Sequence, residues 1–182
     1  GETIVLDACE RGLDAVIVNP GSMIGPHDYE PSMVGVALID MYHGRIPVLL
    51  DMLSDYVDVR DVADGMIAAA EKGRRGERYF LTGDVIPVTE MATVYGELTG
   101  ASVPTRALPL WVGWVLLPFA LAGSAITKKD PFITADMLRA SVSNEVVSHD
   151  KAARELGYSI RPLREALGDA VAWYRERGWL NA

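Results

Sequence analysis

The sequence predicts an α/β fold built around parallel strands, and two observations lead to this class. Residues 14–18 end in a β-branched apolar run, which is typical of a strand buried on both faces of a parallel sheet. Patterns of helical spacing lie on both sides of that strand, over residues 2–10 and 31–43. Helices that alternate with buried strands are the pattern of α/β proteins.

The first two helical patterns end at glycine. Gly12 follows the pattern over residues 2–10 and Gly44 follows the pattern over residues 31–43, and glycine is the residue most often found just past a helix end. Cys9 lies among the apolar positions of the first pattern. We therefore expect its thiol to be buried and unreactive.

Two short apolar runs follow the second helix. They cover residues 46–50 and 56–59 and flank a turn, so we predict two short strands that pair with each other at an edge. Asp61 then precedes a helical pattern that extends to Lys72. An aspartate in that position is the predicted N-cap of the helix.

The second half of the chain is mostly helical in its pattern. One apolar run, residues 79–83, predicts a strand that lies parallel to the first one. Thr89 and Asp150 are predicted N-caps, and an extended stretch is predicted over residues 145–148. The predicted helices cover residues 89–98, 134–140, 151–156 and 163–177.

Residues 107–126 contain no charged side chain. Basic residues flank this run on both sides: Arg106, Lys128 and Lys129. Four residues interrupt it: Pro109, Gly113, Pro118 and Gly123. The interruptions favour a buried or lid-forming pair of helices. Membrane contact stays open as the alternative, because Trp111 and Trp114 lie near one end, where an interfacial belt would place them.

The composition excludes several classes of protein. Hydrophobic residues make up 49% and charged residues 23% of the 182 residues, which is typical of a globular chain. The net charge of −8 argues against a nucleic-acid surface, since no basic stripe can neutralise phosphates. A single cysteine excludes an internal disulfide and fits a reducing, cytoplasmic location. No secretory signal is visible at the start.

Turn residues crowd the stretch 19–26, directly after the first strand. Ligands of open α/β sheets bind outside the carboxyl ends of the strands. Small residues and a fixed proline also allow a flat ligand to approach the backbone closely. Two interpretations stay open here: an ordinary exit from a strand, or the edge of a ligand site.

Motifs for other chemistry are missing. The three histidines, His27, His43 and His149, have no metal-ligand spacing, so no metal site is predicted. Ser22 follows Gly21, but the flanking glycines of a nucleophile elbow are absent, which argues against a hydrolase. Neither GxGxxG nor GxxxxGK occurs, so the chain contains no glycine-rich phosphate loop.

A charged cluster follows the strand over residues 56–59. It contains Asp58, Arg60, Asp61 and Asp64. One interpretation is a helix cap with a solvated helix start. The other is that Arg60, at the end of a strand, binds an anionic group of a substrate or cofactor.

Segments spread along nearly the whole chain carry a family resemblance. They are Gly1-Glu2, residues 12–20 with 24–26, residues 56–63, and residues 151–158, 161–167 and 173–174. Together they resemble the C-terminal half of an extended short-chain dehydrogenase/reductase of the NAD-dependent epimerase/dehydratase superfamily. The apolar run and the tail are similar to the dihydroflavonol-4-reductase-like and hopanoid-associated sugar epimerase-like branch.

This resemblance implies the C-terminal part of a Rossmann-like parallel sheet plus a smaller, mainly helical substrate-binding domain. Residues 1–24 and 56–83 would supply the Rossmann elements, and residues 25–55 and 84–182 the substrate-binding part. Only two parallel strands of that sheet would be present, near 14–18 and 79–82. Their open edges would favour pairing with the missing N-terminal half or with a second copy in a homodimer.

The resemblance also implies a set of site residues. Those along the nicotinamide of NADP or NAD would be Pro20, Gly21, Ser22 and Met23. Those that bind a small-molecule substrate would be His27, Asp28 and Tyr29, with Arg60 as the fourth candidate. Two positions depart from the family pattern, since Asn19 replaces a common arginine and Asp58 a common histidine.

In such families a tyrosine–lysine pair transfers the proton while the nicotinamide carries the hydride. No tyrosine of this chain has a lysine four residues later. Because the chain also begins with Gly1, we expect it to be part of a longer NAD(P)-dependent reductase and inactive alone. Two alternatives stay open: a nucleotide-sugar epimerase or dehydratase, and a non-enzymatic NAD(P)-binding sensor or scaffold.

Overall fold

The computed structural model describes residues 1–127, 134–142 and 147–181, and it shows an α/β fold. The strands are β1 Ile17–Pro20, β2 Ser22–Ile24, β3 Leu49–Leu50, β4 Leu53–Asp58, β5 Arg78–Leu81, β6 Asp84–Pro87 and β7 Ala107–Leu108. The helices are α1 Glu2–Glu10, α2 Met33–Tyr42, α3 Val59–Lys72, α4 Val88–Thr99, α5 Leu110–Thr127, α6 Ala135–Val142, α7 Asp150–Leu156 and α8 Leu163–Glu176. All seven helices predicted with bounds are present within about two residues of those bounds.

The described strands form three small sheets. β1 pairs with β5 in parallel, with Ile17 opposite Arg78, and this confirms the predicted parallel pair. β4 lies in the centre of the second sheet, parallel to β2 and antiparallel to β6. β3 pairs in parallel with β7. The predicted pairing between residues 46–50 and 56–59 is therefore wrong, because each of these strands has a partner far away in sequence.

The predicted cluster of turns over residues 19–26 is wrong in its first part. β1 continues to Pro20, and β2 begins at Ser22, so Gly21 alone separates them. The N–H of Gly21 donates to the carbonyl of Leu81 at 3.2 Å, and the chain then passes from the first sheet to the second. Proline and glycine are compatible with this extended path, because Pro20 ends its strand and needs no donor there.

Three predicted N-caps are wrong by one to three residues. Asp58 caps α3 and accepts the N–H of Arg60 at 2.8 Å, whereas Asp61 is inside the helix and buried. Pro87 precedes α4 without a side-chain cap, so Thr89 lies in the first turn. His149 precedes α7, so Asp150 is its first residue. α3 begins at Val59, inside the predicted strand, and β6 continues to Pro87, directly before α4.

The apolar run over residues 107–126 forms one short strand and one helix instead of a pair of helices. α5 continues through Pro118, and its Gly113 lies against the side chains of Leu138 and Leu50. None of the described helices combines the length and the apolar character that crossing a bilayer requires. Residues 145–146 of the predicted extended stretch lie outside the described residues, and residues 147–148 have no regular structure.

Two hydrophobic clusters form the core. The first lies between β5, α3 and α7 and contains Val57, Val62, Ala69, Tyr79, Leu81, Ala152, Leu156 and Tyr158. The second is larger and brings together β2, β3, α2, α4 and α8 around Leu38, Met91, Tyr95, Leu167 and Tyr174. Cys9 is buried, as predicted. β4 contributes Val57 to the first cluster, and its Tyr56 packs against the second, so β4 connects the two.

Gly83 gives a direct test of this arrangement. A Cβ atom there would overlap the carbonyl group of Tyr56, so Gly83→Ala must push β4 away from the turn after β5. We expect the free energy of unfolding in urea to fall by about 2 kcal/mol. Gly168→Ala is the control, because a Cβ in that helix has nothing within 4 Å and should stabilise by about 0.5–1 kcal/mol. Equal effects of the two substitutions would contradict this packing.

Candidate functional site

The carboxyl ends of β2 and β4 lie side by side, one short strand beyond the carboxyl end of β1. Pro20 ends β1, and the register of the second sheet places Ile24 opposite Asp58, where β2 and β4 both end. Residues 25–32 leave β2 at this edge and lead into α2. In open α/β proteins, such an edge is where ligands bind. The structure thus places Pro20–Met23 and His27–Tyr29 along one continuous stretch there.

Asp55 of β4 packs directly against the Pro20–Met23 stretch. Its carboxylate occupies the space that a Cβ of Gly21 would fill, which explains why the chain has glycine at this position. Burial raises the pKa of the Asp55 carboxyl, and hydrogen bonds from the backbone N–H groups of Asp55 and Ser22 partly offset that rise. The hydroxyls of Ser22 and Ser54 lie 3.2 Å apart. Neighbouring residues of β4 therefore fix the backbone of Gly21 and Ser22.

This stretch has an exposed large side chain, and one buried polar atom without a described partner lies directly before it. The Met23 side chain is 42% exposed. Asn19 donates from Nδ2 to Glu2 Oε1 at 3.0 Å, while its Oδ1 is buried and has no hydrogen-bond partner in the described part of the chain. A buried acceptor without a donor costs free energy unless another group supplies one. Beside Pro20–Met23, this oxygen fits a site that a further polar group completes.

Asp28 organises the start of α2. Its two carboxylate oxygens each accept the N–H of Ser32 at 3.0 Å, and Oδ2 also accepts the Ser32 hydroxyl. The phenol of Tyr174 donates to Asp28 Oδ2 at 3.4 Å. A Cβ of Gly35 would overlap that same oxygen. Asp28 thus has a structural role in the loop, whatever it contributes to substrate binding.

The rings of His27 and Tyr29 pack against Trp173 of α8. The His27 and Tyr29 rings lie with their centroids 4.9 and 5.1 Å from the Trp173 ring, both edge-on. The Arg177 guanidinium lies 5.6 Å from the Tyr29 ring and 5.5 Å from the Trp173 ring, within the range of cation–π attraction. His27 itself has a positive φ of 69°, an uncommon conformation for a residue with a side chain. Packing against Trp173 accompanies this strained backbone.

Arg60 is held by two carboxylates. Its guanidinium donates to Asp58 at 2.6 and 2.9 Å and to Asp169 of α8 at 2.6 Å. Burial alone would raise the pKa of the Asp58 carboxyl, but the hydrogen bonds and the charge of Arg60 outweigh burial and hold that pKa below its usual range. Arg60 is partly exposed, with 35% of its side chain accessible. The second interpretation of the sequence, an anion site at Arg60, stays a prediction.

The residues that support this site are not recognisable from the sequence alone. Ser54 and Asp55 fall in a predicted turn, whereas Asp169 and Trp173 lie on α8 and Arg177 directly follows it, far away in sequence. Asp61 was assigned to a cap but accepts the N–H of Arg161 at 2.7 Å and pairs with its guanidinium. The only available signal for α8 was its periodicity, which marks an inward face but names no partner.

A cavity of about 250 Å³ lies elsewhere, between α3 and residues 157–161. Its lining includes Asp61, Asp64 and Arg161 but none of the predicted site residues. The strand-end position of Pro20–Tyr29 is the stronger criterion for a ligand site, so we keep that stretch as the candidate.

Comparison with known proteins gives a family match and several similar proteins. Residues 1–81 match the model of the NAD dependent epimerase/dehydratase family. Over 97% of its length the chain is 37% identical to sterol demethylase protein B of Methylococcus capsulatus, and covers 54% of that protein. It is 30% identical to a putative dihydroflavonol 4-reductase of Synechocystis, with 99% of this chain and 54% of the relative covered. A 4-farnesyl-dihydroquinoline-1-oxide ketoreductase of Stigmatella aurantiaca is 29% identical, over 93% and 52% of the two chains.

The solved structures agree on the fold. The structure of gox2253 is 34% identical with a TM-score of 0.79, and it aligns with 98% of this chain and 54% of its own. A nucleoside-diphosphate-sugar epimerase from Pseudomonas aeruginosa is 24% identical with a TM-score of 0.75, over 99% and 54% of the two chains. The chain thus spans about half the length of the relatives it matches, and it has the fold of their C-terminal half.

Asp58 gives a test of the electrostatics. The pKa of its carboxyl is lowered in the folded state, so its stabilising effect is complete above the unfolded pKa of about 3.9 and is lost as the pH falls through the folded value. Asn keeps the N-cap but loses the charge. We expect Asp58→Asn to lower the free energy of unfolding by about 2 kcal/mol at neutral pH, and by much less near pH 3.

The measurement is urea unfolding at both pH values. Asp136→Asn is the control, because Asp136 pairs with Arg139 on an exposed surface of α6, where ion pairs contribute little. A cost for Asp58→Asn that does not change with pH would contradict the charge-pair account.

Proposed function

Since this chain belongs to the NAD dependent epimerase/dehydratase family, we propose that it is the substrate-binding half of an NAD(P)-dependent oxidoreductase. The reaction is hydride transfer to or from a carbonyl or hydroxyl carbon of a small molecule. One observation carries the proposal: the stretch Pro20–Tyr29, which lies within the family match, begins at the carboxyl end of β1 and continues past the adjacent carboxyl ends of β2 and β4, where ligands of open α/β sheets bind. The other half of the protein is the partner that completes the site.

The nicotinamide end of NAD or NADP is proposed to be held by four residues: Pro20, Gly21, Ser22 and Met23. The buried Asn19 Oδ1 without a donor and the fixed backbone beside Asp55 fit a planar polar group at this position. When bound, the cofactor supplies the hydride chemistry. The residues of this chain orient the ring and limit its movement. Because no tyrosine here has a lysine four residues later, we assign the proton transfer to residues outside this chain.

The substrate side of the site is proposed to consist of four residues: His27, Asp28, Tyr29 and Arg60. Tyr29 is 61% exposed and presents its ring next to Arg177, so the loop offers aromatic and cationic contacts to a ligand. Asp28 keeps the loop in place through Ser32. The Arg60 guanidinium donates to the carboxylates of Asp58 and Asp169. Its other N–H groups would donate to an anionic group of the substrate.

The names of the relatives favour carbonyl reduction as the reaction. Two of the three curated relatives are named as a dihydroflavonol reductase and a ketoreductase. Nucleotide-sugar epimerisation is the second candidate, and its support is the epimerase among the solved structures. A reductase consumes the reduced nicotinamide, whereas an epimerase returns it unchanged, so the two are separable by one absorbance measurement.

The test is the oxidation of NADH and NADPH by the longer protein that contains this chain, over a panel of ketones and nucleotide sugars. Met23→Asp should lower kcat/KM about tenfold or more, because a carboxylate would enter the nicotinamide contact. Leu13→Asp is the matched control: Leu13 is 48% exposed and lies before the amino end of β1, opposite the site. No cofactor binding and no turnover would contradict the proposal, and cofactor binding without turnover would favour a sensor or scaffold.

A further inference from the structure

Helix α5 has an apolar surface that no described part of the molecule covers. Six of its large side chains are exposed by 39–72%: Trp111, Trp114, Val115, Leu116, Phe119 and Leu121. A surface helix in water normally has charged or polar residues on its outer face, whereas Leu110–Thr127 contains no charged residue at all. Apolar patches of this kind mark interaction sites.

The exposed face is too wide for one partner helix. Successive residues of an α-helix turn by about 100°, so the exposed positions between Trp111 and Ala122 extend over about 220° of the circumference. Buried Gly113 and half-buried Leu117 lie on the remaining side, where Gly113 contacts Leu138 and Leu50. A packed neighbouring helix covers a stripe of about 100°. A face twice as wide is suited to a fluid apolar phase that surrounds the helix.

The charges and aromatic rings near α5 agree with a lipid surface. Arg106 is exposed just before the helix, and a cation in this position complements lipid phosphates. Trp111 and Trp114 lie in the first turns, close to Arg106. An indole places its ring among acyl chains while its N–H donates to head groups.

We propose that α5 is a membrane-surface element: its outer face inserts into the interfacial layer of a lipid bilayer, with the helix axis in the membrane plane and the inner face on β3 and α6. The rest of the protein lies behind the inner face of α5, where Leu138 packs, and stays in water. This docking is separate from the nicotinamide and substrate contacts proposed above.

The test is co-flotation of the longer protein that contains this chain with lipid vesicles. The vesicles consist of phosphatidylcholine alone or of an equimolar mixture with phosphatidylglycerol. We expect binding that is stronger with the anionic lipid and that persists in high salt, because apolar insertion contributes most of the free energy. The double substitution Val115→Ser and Phe119→Ser should weaken binding at least about tenfold. Both side chains are exposed, so thermal unfolding should stay unchanged.

Met66→Ser with Ile67→Ser is the matched control, since these residues are exposed by 51% and 59% on α3, and this variant should float like the unmodified protein. Absence of flotation by a folded protein would overturn the proposal. An equal loss of vesicle binding in both double variants would also overturn the proposal. Light scattering that shows a dimer which Val115→Ser and Phe119→Ser dissociate, without vesicle binding, would assign the face to a second copy instead.

Discussion

The carboxylate of Asp58 holds together the three elements that meet at the candidate site. It ends β4, caps α3 through the N–H of Arg60, and orients the Arg60 guanidinium toward Asp169 of α8. Asp58 is 1% exposed, so this charge is stable only because Arg60 pairs with it. The register of the second sheet places Ile24 opposite Asp58, and the loop to α2 begins there. The position of the site loop therefore depends on this interaction.

Helix α8 connects Arg60 with the loop His27–Tyr29 on the proposed substrate side. Asp169 binds Arg60, Trp173 contacts the His27 and Tyr29 rings, and Tyr174 donates to Asp28. One helix thus touches both the strand end and the loop that follows β2. Residues of β4 contact both hydrophobic clusters, through Tyr56 and Val57. This arrangement gives a site rigid on the protein side and open toward the ligand.

Local patterns predicted seven of the helices well, because spacing and glycine stops are properties of neighbouring residues. They failed where the partner is distant: β3 pairs with β7, and Asp61 pairs with Arg161, neither of which is recognisable from a short window. For the site, the motif around residues 19–26 predicts which stretch binds the ligand. Its supports on β4 and α8 depend on tertiary contacts that composition and periodicity do not encode.

The most direct test is a structure of the longer protein with bound NADP or NAD. Our account predicts that the nicotinamide lies against Pro20–Met23, with its amide within hydrogen-bond distance of this stretch or of Asn19 Oδ1. Asp55 should keep its contact with Gly21 in that complex. A dinucleotide whose nicotinamide lies away from Pro20–Met23, with that stretch facing solvent, would contradict the account.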